Sequence, residues 1–361
     1  MKNTVQQRHL VVMAAGTGGH VIPGIAVAQE MQRRGWTVSW LGTRTGMENQ
    51  LVPPTGIPLD PIAFNGLRGK SLLQTALGGL RLLKAFWDCL GILRRRAATA
   101  VLGMGGYVCF PGGLMASWLG KPLVLVNADA RLLLSNKALL PVADRVCFGF
   151  DGGSQGVKQA RVTGNPVRAT IEQLPPPPVR FAGRVGPLRV LVVGGSLGAK
   201  VLNETLPAAL ALMPPEQRPQ LIHQTGQAHL EAVRADYARR GLDADLRPFI
   251  ADMAVEFAQA DLVICRAGAI TVSELCAAGS ASVLVPLVVS TTAHQRDNAE
   301  YMERASAAIH LPQARLTPES LADLLGRTSR NDCLRLAVEA RSLARPQAAA
   351  RVADAIEELL K

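Results

Sequence analysis

The sequence predicts an α/β protein of two similar domains, each containing a parallel β-sheet. Short apolar runs of strand length alternate with stretches of helical length through both halves of the chain. This alternation indicates β-α units whose sheets are buried on both faces. The pattern begins again after a proline-rich stretch at 175–187, and the length of 361 residues corresponds to about two domains.

Strands are predicted in the first half at HLVVMAA, TVSWLG, TAVLGMGG, PLVLVNAD and ADRVCFGF, with a helix over 23–34. In the second half they are predicted at LRVLVVGG, PQLIHQTG, DLRPFI, ADLVICRAG and ASVLVPL. Four consecutive prolines favour neither helix nor central strand, so we predict a stiff connector between the halves. The predicted organisation is a domain over 1–168, a proline-rich linker over 169–186, a second domain over 187–345 and a C-terminal helix over 346–361, which could pack on either domain, including back on the first.

Composition excludes several classes of protein. The chain is 48% hydrophobic, which excludes a disordered protein, yet no run reaches the roughly 18 uncharged apolar residues of a membrane-spanning helix. The first residues predict a core strand rather than a signal peptide. The six cysteines have no CxxC spacing, so we expect reduced thiols in a cytoplasmic protein.

The charge balance predicts an anionic partner. Lys and Arg number 39 against 28 Asp and Glu, which gives a net charge of +11. The candidates are nucleic acid, an anionic membrane surface and a phosphorylated substrate. Nucleic acid is disfavoured, because only three Tyr and eight Phe are present and no basic run is interleaved with aromatic residues.

Three glycine-rich loops follow predicted strands. They are the first glycine loop (16–20, GTGGH), the second (103–107, GMGGY) and the third (194–199, GGSLGA). Glycine permits sharp turns and close approach of a ligand, and a following helix offers unpaired N–H groups to a phosphate. Ligands of open α/β sheets bind beyond the carboxyl ends of the strands, so we expect these loops to line binding sites.

A dinucleotide-binding oxidoreductase is the obvious competitor, and the sequence disfavours it. The first glycine loop lacks the third glycine of GxGxxG, since position 21 is Val. The second predicted strand ends in WLGTR, with no acidic residue for a ribose 2′-hydroxyl. None of the loops contains the Gly-Lys-Ser/Thr of a P-loop.

Two candidate residues flank the ends of the first half. His20 lies where the first glycine loop meets a predicted helix, where a neutral imidazole could act as a general base. The alternative is a histidine that caps the helix or contacts a phosphate. Arg168, in GNPVR, could bind a diphosphate or could be a solvated surface arginine.

Further candidates lie in the second half. Glu274, in AITVSE, could accept both hydroxyls of a ribose, or it could complete a capping box with Thr271. Gln295, in TTAHQRDNA, suits sugar hydroxyls, with a plain polar loop as the alternative. The His, Cys and carboxylate spacings are not those of a metal site, so we predict no metal and no cofactor.

Residues 62–96 combine an apolar stripe at helical spacing with basic side chains. The residues of interest are Arg68, Lys70, Leu77, Leu80, Arg81 and Lys84. This combination is typical of an interfacial membrane helix. A crossover helix packed on the core explains most of the stripe, and both interpretations hold if the exposed end of the helix meets lipid.

Together these motifs resemble the MurG family of UDP-N-acetylglucosamine transferases, which convert lipid I to lipid II in peptidoglycan synthesis. The matching stretches span nearly the whole chain: GTGGHVIPGIAVAQEM, GLRGK, VLGMGGYV, PGGLMASWLG, TGNPVR, RVLVVGGSLGAKVLNETLP, FIADMA, ADLVICRAGAITVSELCAAG and HQRDNA. The resemblance implies the GT-B glycosyltransferase fold, with two Rossmann-like domains whose parallel sheets face each other across a cleft. It also implies an inverting transfer of GlcNAc from UDP-GlcNAc to the C4 hydroxyl of MurNAc in lipid I, undecaprenyl-diphospho-MurNAc-pentapeptide.

The resemblance implies roles for individual residues. His20 matches the proposed general base, while Glu274, Ile250 and Arg168 match residues that contact ribose, uracil and phosphates. The other implied donor-site residues are Thr17, Gly18, Gly19, Asp129, Ser196, Ala269, Ile270, Thr271, Val272, Ser273 and Gln295. The acceptor diphosphate would meet Gly16, Gly105, Gly106 and Tyr107.

The implied partners are UDP-GlcNAc, lipid I, an anionic membrane surface and other proteins of cell-wall synthesis. The implied location is peripheral, on the cytoplasmic face of the bacterial inner membrane. One stretch departs from the family: its usual His-Glu-Gln-Asn reads Val126-Asn127-Ala128-Asp129 here, so Asp129 aligns with a sugar-contacting Asn. A UDP-GlcNAc 2-epimerase of the same fold and a non-catalytic nucleotide-sugar-binding membrane protein remain as alternatives.

Overall fold

Two units, each built on one parallel sheet, make up the chain. The computed structural model describes residues 7–64, 72–195, 197–287 and 293–361. Residues Met1–Val167 and Gln347–Lys361 form the first unit, and Arg168–Pro346 form the second. The predicted α/β class with two Rossmann-like parallel-sheet domains is confirmed.

The sheet of the first unit has the strand order β3-β2-β1-β4-β5-β6-β7. Its strands are β1 His9–Ala14, β2 Thr37–Thr43, β3 Leu59–Ile62, β4 Ala100–Gly105, β5 Leu123–Asn127, β6 Arg145–Phe148 and β7 Ala160–Val162. The helices described between them are α1 Gly18–Arg33, α2 Glu48–Leu51, α3 Leu72–Arg95, α4 Cys109–Trp118 and α5 Leu134–Leu139.

Both faces of this sheet are covered, as the continuous apolar runs predict. Leu10, Val12 and Ala14 of β1 join one buried cluster, and Val11 and Met13 join another. Successive side chains of a strand point to opposite faces, so β1 contributes to a core on each side of the sheet.

The sheet of the second unit has the strand order β10-β9-β8-β11-β12-β13. Its strands are β8 Arg189–Val193, β9 Gln220–Gln224, β10 Asp245–Arg247, β11 Leu262–Cys265, β12 Ser282–Leu284 and β13 Ile309–His310. The helices described are α6 Ala169–Glu172, α7 Pro177–Phe181, α8 Lys200–Leu212, α9 Leu230–Arg239, α10 Met253–Gln259, α11 Ala269–Ala278, α12 His294–Arg304, α13 Pro318–Arg327 and α14 Arg330–Ser342.

The proline-rich stretch differs from the predicted stiff connector. Residues of the predicted linker, 169–186, group with the second unit and include α6 and α7. Pro177 and Pro178 occupy the first two positions of α7, where the missing N–H groups would have no helical partner anyway. Arg180 donates to the carbonyl oxygens of Phe257 (2.7 Å) and Ala278 (2.6 Å), which fixes the stretch to two helix ends.

The C-terminal helix, α15 Ala348–Glu357, belongs to the first unit and packs against α1. Val352 and Ile356 are fully buried in the same cluster as β1. Arg34, at the end of α1, forms ion pairs with Asp354 (2.7 Å) and Glu357 (2.8 Å). The last helix therefore completes the core of the unit that begins the chain.

Both sheets have a topological switch point, where the strand order reverses direction. In the first unit it lies between β1 and β4, and in the second between β8 and β11. Loops on opposite sides of a switch point diverge, which leaves a crevice for a ligand at the carboxyl edge. The first glycine loop follows β1, the second covers the end of β4 and the residues after it, and the third follows β8. The three predicted loops thus occupy the places where α/β sheets bind ligands.

Candidate active site

The first glycine loop runs directly from β1 into α1. Gly16 has φ +100°, a left-handed conformation that glycine adopts at no steric cost. Its N–H donates to Glu48 Oε2 (3.0 Å), and its carbonyl accepts the N–H of Met47 (3.1 Å). Thr17 is the N-cap of α1, which begins at Gly18 rather than at the predicted residue 23. His20 therefore lies in the first turn of this helix.

The second glycine loop meets the first beside His20. Gly105 and Gly106 have φ +123° and +90°. A Cβ on Gly105 would lie 2.6 Å from His20 Cδ2 and 2.8 Å from its Nε2, so the imidazole packs directly on the backbone of Gly105. A Cβ on Gly106 would overlap the carbonyl oxygen of Ala15. These contacts require glycine at both positions and bring Tyr107, 44% exposed, to the same edge of the sheet.

Buried asparagines fix the loop that begins at the end of β5, where residues 126–129 depart from the family. Asn127, fully buried, donates to the carbonyl oxygens of Asp129 and Arg131 (both 2.9 Å) and accepts the N–H of Leu133. Asn165, also buried, donates to the carbonyl of Ala128 (2.8 Å). The side-chain amide of Asn127 is thus bonded to the backbone of this loop. Asp129 is partly exposed, whereas Asn127 is buried. Sequence reasoning did not identify Asn127 or Asn165 as loop supports.

The third glycine loop follows β8 in the second unit. Ser196, which is predicted to contact the UDP-GlcNAc donor, lies outside the described residues. Gly195 and Gly198 have φ +87° and +78°, and a Cβ on Gly198 would overlap the carbonyl oxygen of Thr225. Gln224, buried at the end of β9, donates to the carbonyl of Gly195 (2.8 Å).

A chain of neutral side chains continues behind this loop. Asn203 donates to the carbonyl of Thr225 (3.0 Å), and its Oδ1 contacts His223 Nε2 (3.0 Å). His223 Nδ1 contacts the hydroxyl of Tyr237 (3.1 Å). Burial lowers the pKa of His223 to about 4, so the imidazole is neutral at pH 7.

Glu274 and Arg168 pair with each other in the second unit. Arg168 donates through Nε to Glu274 Oε1 (2.8 Å) and through a terminal nitrogen to Oε2 (2.9 Å). This bidentate pair uses one acceptor position on each carboxylate oxygen, and no other hydrogen bond to the carboxylate is seen within the described ranges. The alternative of a capping box with Thr271 is wrong, because α11 begins at Ala269 with Gly268 as its N-cap.

The neighbouring predicted donor residues differ in exposure. Ala269, Ile270, Thr271 and Ser273 are partly exposed in the first turns of α11. Val272 is fully buried in the core, so its side chain presents no surface to a ligand in this structure. Ile250, after β10, is also buried.

Gln295 lies in the first turn of α12, close to the end of β12. Its Oε1 accepts the N–H of Leu287 (2.9 Å), which leaves the amide nitrogen as its donor toward a sugar. Asn298, one turn further and fully buried, donates to the carbonyl of Ala267 (3.0 Å), just before α11. Asn298, like Asn127 and Asn165, is a loop support that the sequence pattern did not reveal.

The predicted apolar stripe of α3 divides into two parts. Leu90 and Leu93 are buried in the core, as a crossover helix requires. Leu80, Leu83 and Trp87 are exposed by 65%, 57% and 69%, at helical spacing on one face. The exposed residues Arg81 and Lys84 accompany them, although Lys84 pairs with Asp88 (2.8 Å).

The predicted membrane segment is described in part. Arg68, Lys70 and the side chain of Leu77 lie outside the described residues. Trp118 of α4 is 65% exposed, with the guanidinium of Arg94 6.0 Å from its ring centroid. Across the described ranges, no helix is both long and apolar enough to cross a membrane.

Metal and thiol chemistry have no evident site in the described part of the chain. There, no group of three or more His, Cys, Asp and Glu side chains is arranged to hold a metal ion. All six cysteines are buried and free, and burial raises the pKa of each thiol to about 12. A thiol with that pKa is not a nucleophile at neutral pH.

The fold and its paired loops define a class of two-domain glycosyltransferases. Residues 10–148 match the glycosyltransferase family 28 N-terminal domain, and residues 189–359 match the glycosyltransferase family 28 C-terminal domain. A Methylibium petroleiphilum protein named UDP-N-acetylglucosamine–N-acetylmuramyl-(pentapeptide) pyrophosphoryl-undecaprenol N-acetylglucosamine transferase is 69% identical, with 98% of each chain covered. The chain belongs to the MurG family within glycosyltransferase family 28.

Solved structures agree with this membership. The crystal structure of Acinetobacter baumannii MurG is 39% identical and aligns with a TM-score of 0.84, covering 97% of this chain and 99% of that one. A putative UDP-N-acetylglucosamine 2-epimerase from Listeria monocytogenes aligns with a TM-score of 0.64 at 16% identity, over 98% and 97% of the two chains. At that identity the likeness concerns the fold alone.

Proposed function

We propose that this protein transfers N-acetylglucosamine from UDP-GlcNAc to lipid I and so forms lipid II in peptidoglycan synthesis. The observation that carries the proposal is full-length similarity, 69% identity over 98% of the chain, to a transferase whose name states this donor group and acceptor. The glycine loops at both switch points supply ligand sites in each unit, as a two-substrate transferase needs.

The donor is proposed to bind the second unit. The loops after β8 and β11 each lead toward a helix, α8 and α11, whose N-terminal N–H groups favour a diphosphate. Glu274 keeps open acceptor positions for the two ribose hydroxyls, since Arg168 uses one position on each oxygen. Gln295 keeps its amide donor for a hydroxyl of the sugar. The described supports behind the third glycine loop, Gln224, Asn203 and His223, are neutral and add no negative charge behind the loop.

The acceptor is proposed to bind the first unit. The first and second glycine loops and the ring of His20 meet at one edge of the sheet. In the proposed step, His20 takes the proton of the acceptor C4 hydroxyl while O4 bonds to C1 of GlcNAc. The bond from C1 to the diphosphate oxygen breaks, UDP leaves with the bonding electron pair, and the anomeric configuration inverts. Helix N-termini stabilise the charge that develops on UDP.

Membrane contact is proposed for the exposed face of α3. Leu80, Leu83 and Trp87 offer apolar surface, and Arg81 and Lys84 lie beside it. Apolar insertion and attraction of basic side chains to anionic headgroups reinforce each other. This face would hold the enzyme peripherally on the cytoplasmic side of the inner membrane, where its lipid-linked acceptor resides. Other cell-wall synthesis proteins are proposed as partners there.

Release of UDP in the presence and absence of lipid I tests the proposal. We expect UDP only when both UDP-GlcNAc and lipid I, or a soluble lipid I analogue, are present, together with a disaccharide product. Conversion of UDP-GlcNAc without any acceptor would favour the 2-epimerase alternative. Binding of UDP-GlcNAc without turnover in either condition would favour a non-catalytic nucleotide-sugar-binding protein.

A further inference from the structure

The residue of interest is Glu48, a carboxylate with no exposed surface behind the first glycine loop. It accepts the N–H of Thr43 (2.8 Å) and the hydroxyl of Thr43 (2.6 Å) at Oε1, and the N–H of Gly16 (3.0 Å) at Oε2. The Thr43 hydroxyl itself accepts the N–H of Gly46 (3.2 Å), so its proton is free to point at Glu48. None of the ion pairs among the described residues involves Glu48.

The surrounding backbone is built to accommodate this side chain. A Cβ on Gly46 would overlap the Glu48 carboxylate, and a Cβ on Gly42 would lie 2.8 Å from Glu48 Cγ. Burying a carboxylate without a cation is costly unless hydrogen bonds replace its water. Here three hydrogen-bond donors replace the water around the Glu48 carboxylate, and two glycines leave room for the side chain. Simple packing could be achieved there with an apolar residue.

Of the three hydrogen-bond donors to Glu48, the N–H of Gly16 matters most for the glycine loop. This group lies at the exit of β1, beside the switch point, where a loop would otherwise offer it to a ligand. The carbonyl of the same residue is bound by the N–H of Met47. Both backbone polar groups of Gly16 are therefore bound by residues of the segment 43–48. This segment is itself fixed by hydrogen bonds, because the Gly46 N–H donates to the Thr43 hydroxyl and the Asn49 amide donates to the carbonyl oxygens of Thr43 and Gly46.

The effect reaches His20 through the short loop. Only three residues separate Gly16 from His20, and the N–H of His20 bonds to the carbonyl of Thr17 (3.1 Å). The imidazole packs against Gly105, where a Cβ would lie 2.6 Å from it. A shift of Gly16 would move the start of α1 and with it the ring. Misplacement of a reacting group by about 1 Å costs on the order of 100-fold in rate.

We propose that Glu48 is a positioning residue for catalysis: it fixes the first glycine loop and so holds His20 against the second. The proposal rests on the proposed function for His20. It also assigns the N–H of Gly16 to the protein itself, so the acceptor diphosphate would be bound by the other groups of the two loops.

The test compares Glu48→Gln with Asp60→Asn. Glutamine keeps the shape but has one acceptor oxygen, so it cannot serve Thr43 and Gly16 together. We expect kcat to fall about 10- to 100-fold, with the donor KM within about threefold of wild type. Asp60 is a matched control, because it is also a nearly buried carboxylate of this sheet but pairs with Arg95 and Arg96 (both 2.8 Å). Its variant should keep kcat within about twofold, although it loses stability.

Two further measurements keep the test decisive if Glu48→Gln folds poorly. Thr43→Val removes the hydroxyl that donates to Glu48 and accepts the N–H of Gly46, but it leaves the N–H of Gly16 bonded to Glu48, and it should lower kcat about threefold to tenfold. Hydrogen exchange at residues 16–20 should accelerate in both Glu48→Gln and Thr43→Val, and not in Asp60→Asn. This exchange does not depend on turnover, so it distinguishes failure of the positioning role from failure of the proposed function, which wild-type UDP release reports. Unchanged exchange at 16–20, or a wild-type kcat in folded Glu48→Gln, would overturn the proposal.

Discussion

The two units support equivalent glycine loops by opposite means. In each, the loop after the first strand of the unit begins beside the switch point. The first glycine loop is held by a buried carboxylate, Glu48, bonded to the N–H of Gly16. The third is held by a buried amide, Gln224, bonded to the carbonyl of Gly195. Glu48 accepts a hydrogen bond from a backbone N–H and carries a negative charge, whereas Gln224 donates to a backbone carbonyl and is neutral.

This difference matters for anion binding. Phosphates bind loops through free N–H groups and positive potential. A carboxylate behind the first glycine loop removes one such N–H and opposes a phosphate nearby. The amide behind the third leaves the donors of that loop available. The comparison favours the second unit for the donor diphosphate, whereas the first unit orients His20 and would bind the acceptor through the remaining groups of its two loops.

The largest expected effect concerns His20 of the first unit. His20→Ala should lower kcat by about 100- to 10,000-fold, the usual contribution of a general base, while the donor KM changes little. Steady-state kinetics at a saturating lipid I analogue measure this change.

The competing role for His20 is contact with the acceptor diphosphate. That role predicts a raised acceptor KM with nearly normal kcat. A kcat within about threefold of wild type would remove His20 as the base. It would also contradict the proposal that the first unit supplies the general base while the second unit binds the donor.

The next effect tests the donor site of the second unit. Glu274→Ala should raise the donor KM, because loss of a pair of ribose hydrogen bonds costs about 1.5–3 kcal/mol. Arg168→Ala and the double variant complete a cycle. Since Arg168 and Glu274 pair through two bonds, we expect the effects to be non-additive, with the double variant close to Glu274→Ala.

Additive effects would instead assign Arg168 its own contact with the donor phosphates. The control is Glu303→Ala, an exposed carboxylate of α12 beside His310, which should leave the donor KM unchanged. An unchanged donor KM in Glu274→Ala would count against Glu274 as the ribose ligand.

A third effect is on stability, and it tests the buried imidazole behind the third glycine loop through its pH dependence. Burial holds the folded pKa of His223 at about 4, below its ordinary value near 6.5. Between these values the unfolded chain binds more protons, so stability is full above pH 6.5 and falls as the pH drops. Lowering the pH from 7 to 5 should cost about 2 kcal/mol through this group. Urea unfolding at the two pH values measures the loss.

His223→Gln provides the comparison, because an amide can bond to Asn203 and Tyr237 without titrating. Its stability should depend less on pH than that of wild type. Burial also lowers the pKa of His9 in the first unit, so only the difference between wild type and variant reports on His223. Equal pH dependence in the two proteins would show that His223 does not control acid stability.

Sequence patterns predicted the central strands and all three glycine loops. Continuous apolar runs mark strands that are buried on both faces, and glycines mark the turns at their ends. The strands β3, β7 and β13 were missed, because they lie at sheet edges and are short or partly exposed. The start of α1 was placed at Pro23, although that proline lies inside a helix that begins at Gly18.

The loop supports could not be predicted from the sequence. Glu48 acts on Gly16 from 32 residues away and Gln224 on Gly195 from 29, so their roles depend on which loops meet at the sheet edge. The pair of Arg168 and Glu274 spans 106 residues. A local signal existed only for Glu48, because the glycines of GTRTGME leave room for a side chain. The sequence also could not show which leucines of α3 the core would cover.

The smallest expected effect concerns the face of α3 in the first unit. Arg81→Glu should weaken binding to vesicles that contain an anionic phospholipid, since each basic residue near such a surface contributes about 1 kcal/mol. Lys84→Glu should have a smaller effect, because Lys84 already pairs with Asp88. Co-sedimentation at low and high salt measures both, and added salt should weaken wild-type binding. Arg234→Glu, on α9 of the second unit, is the matched control and should bind as wild type does. Equal binding to neutral and anionic vesicles would leave only the exposed apolar residues Leu80, Leu83 and Trp87 to account for membrane contact.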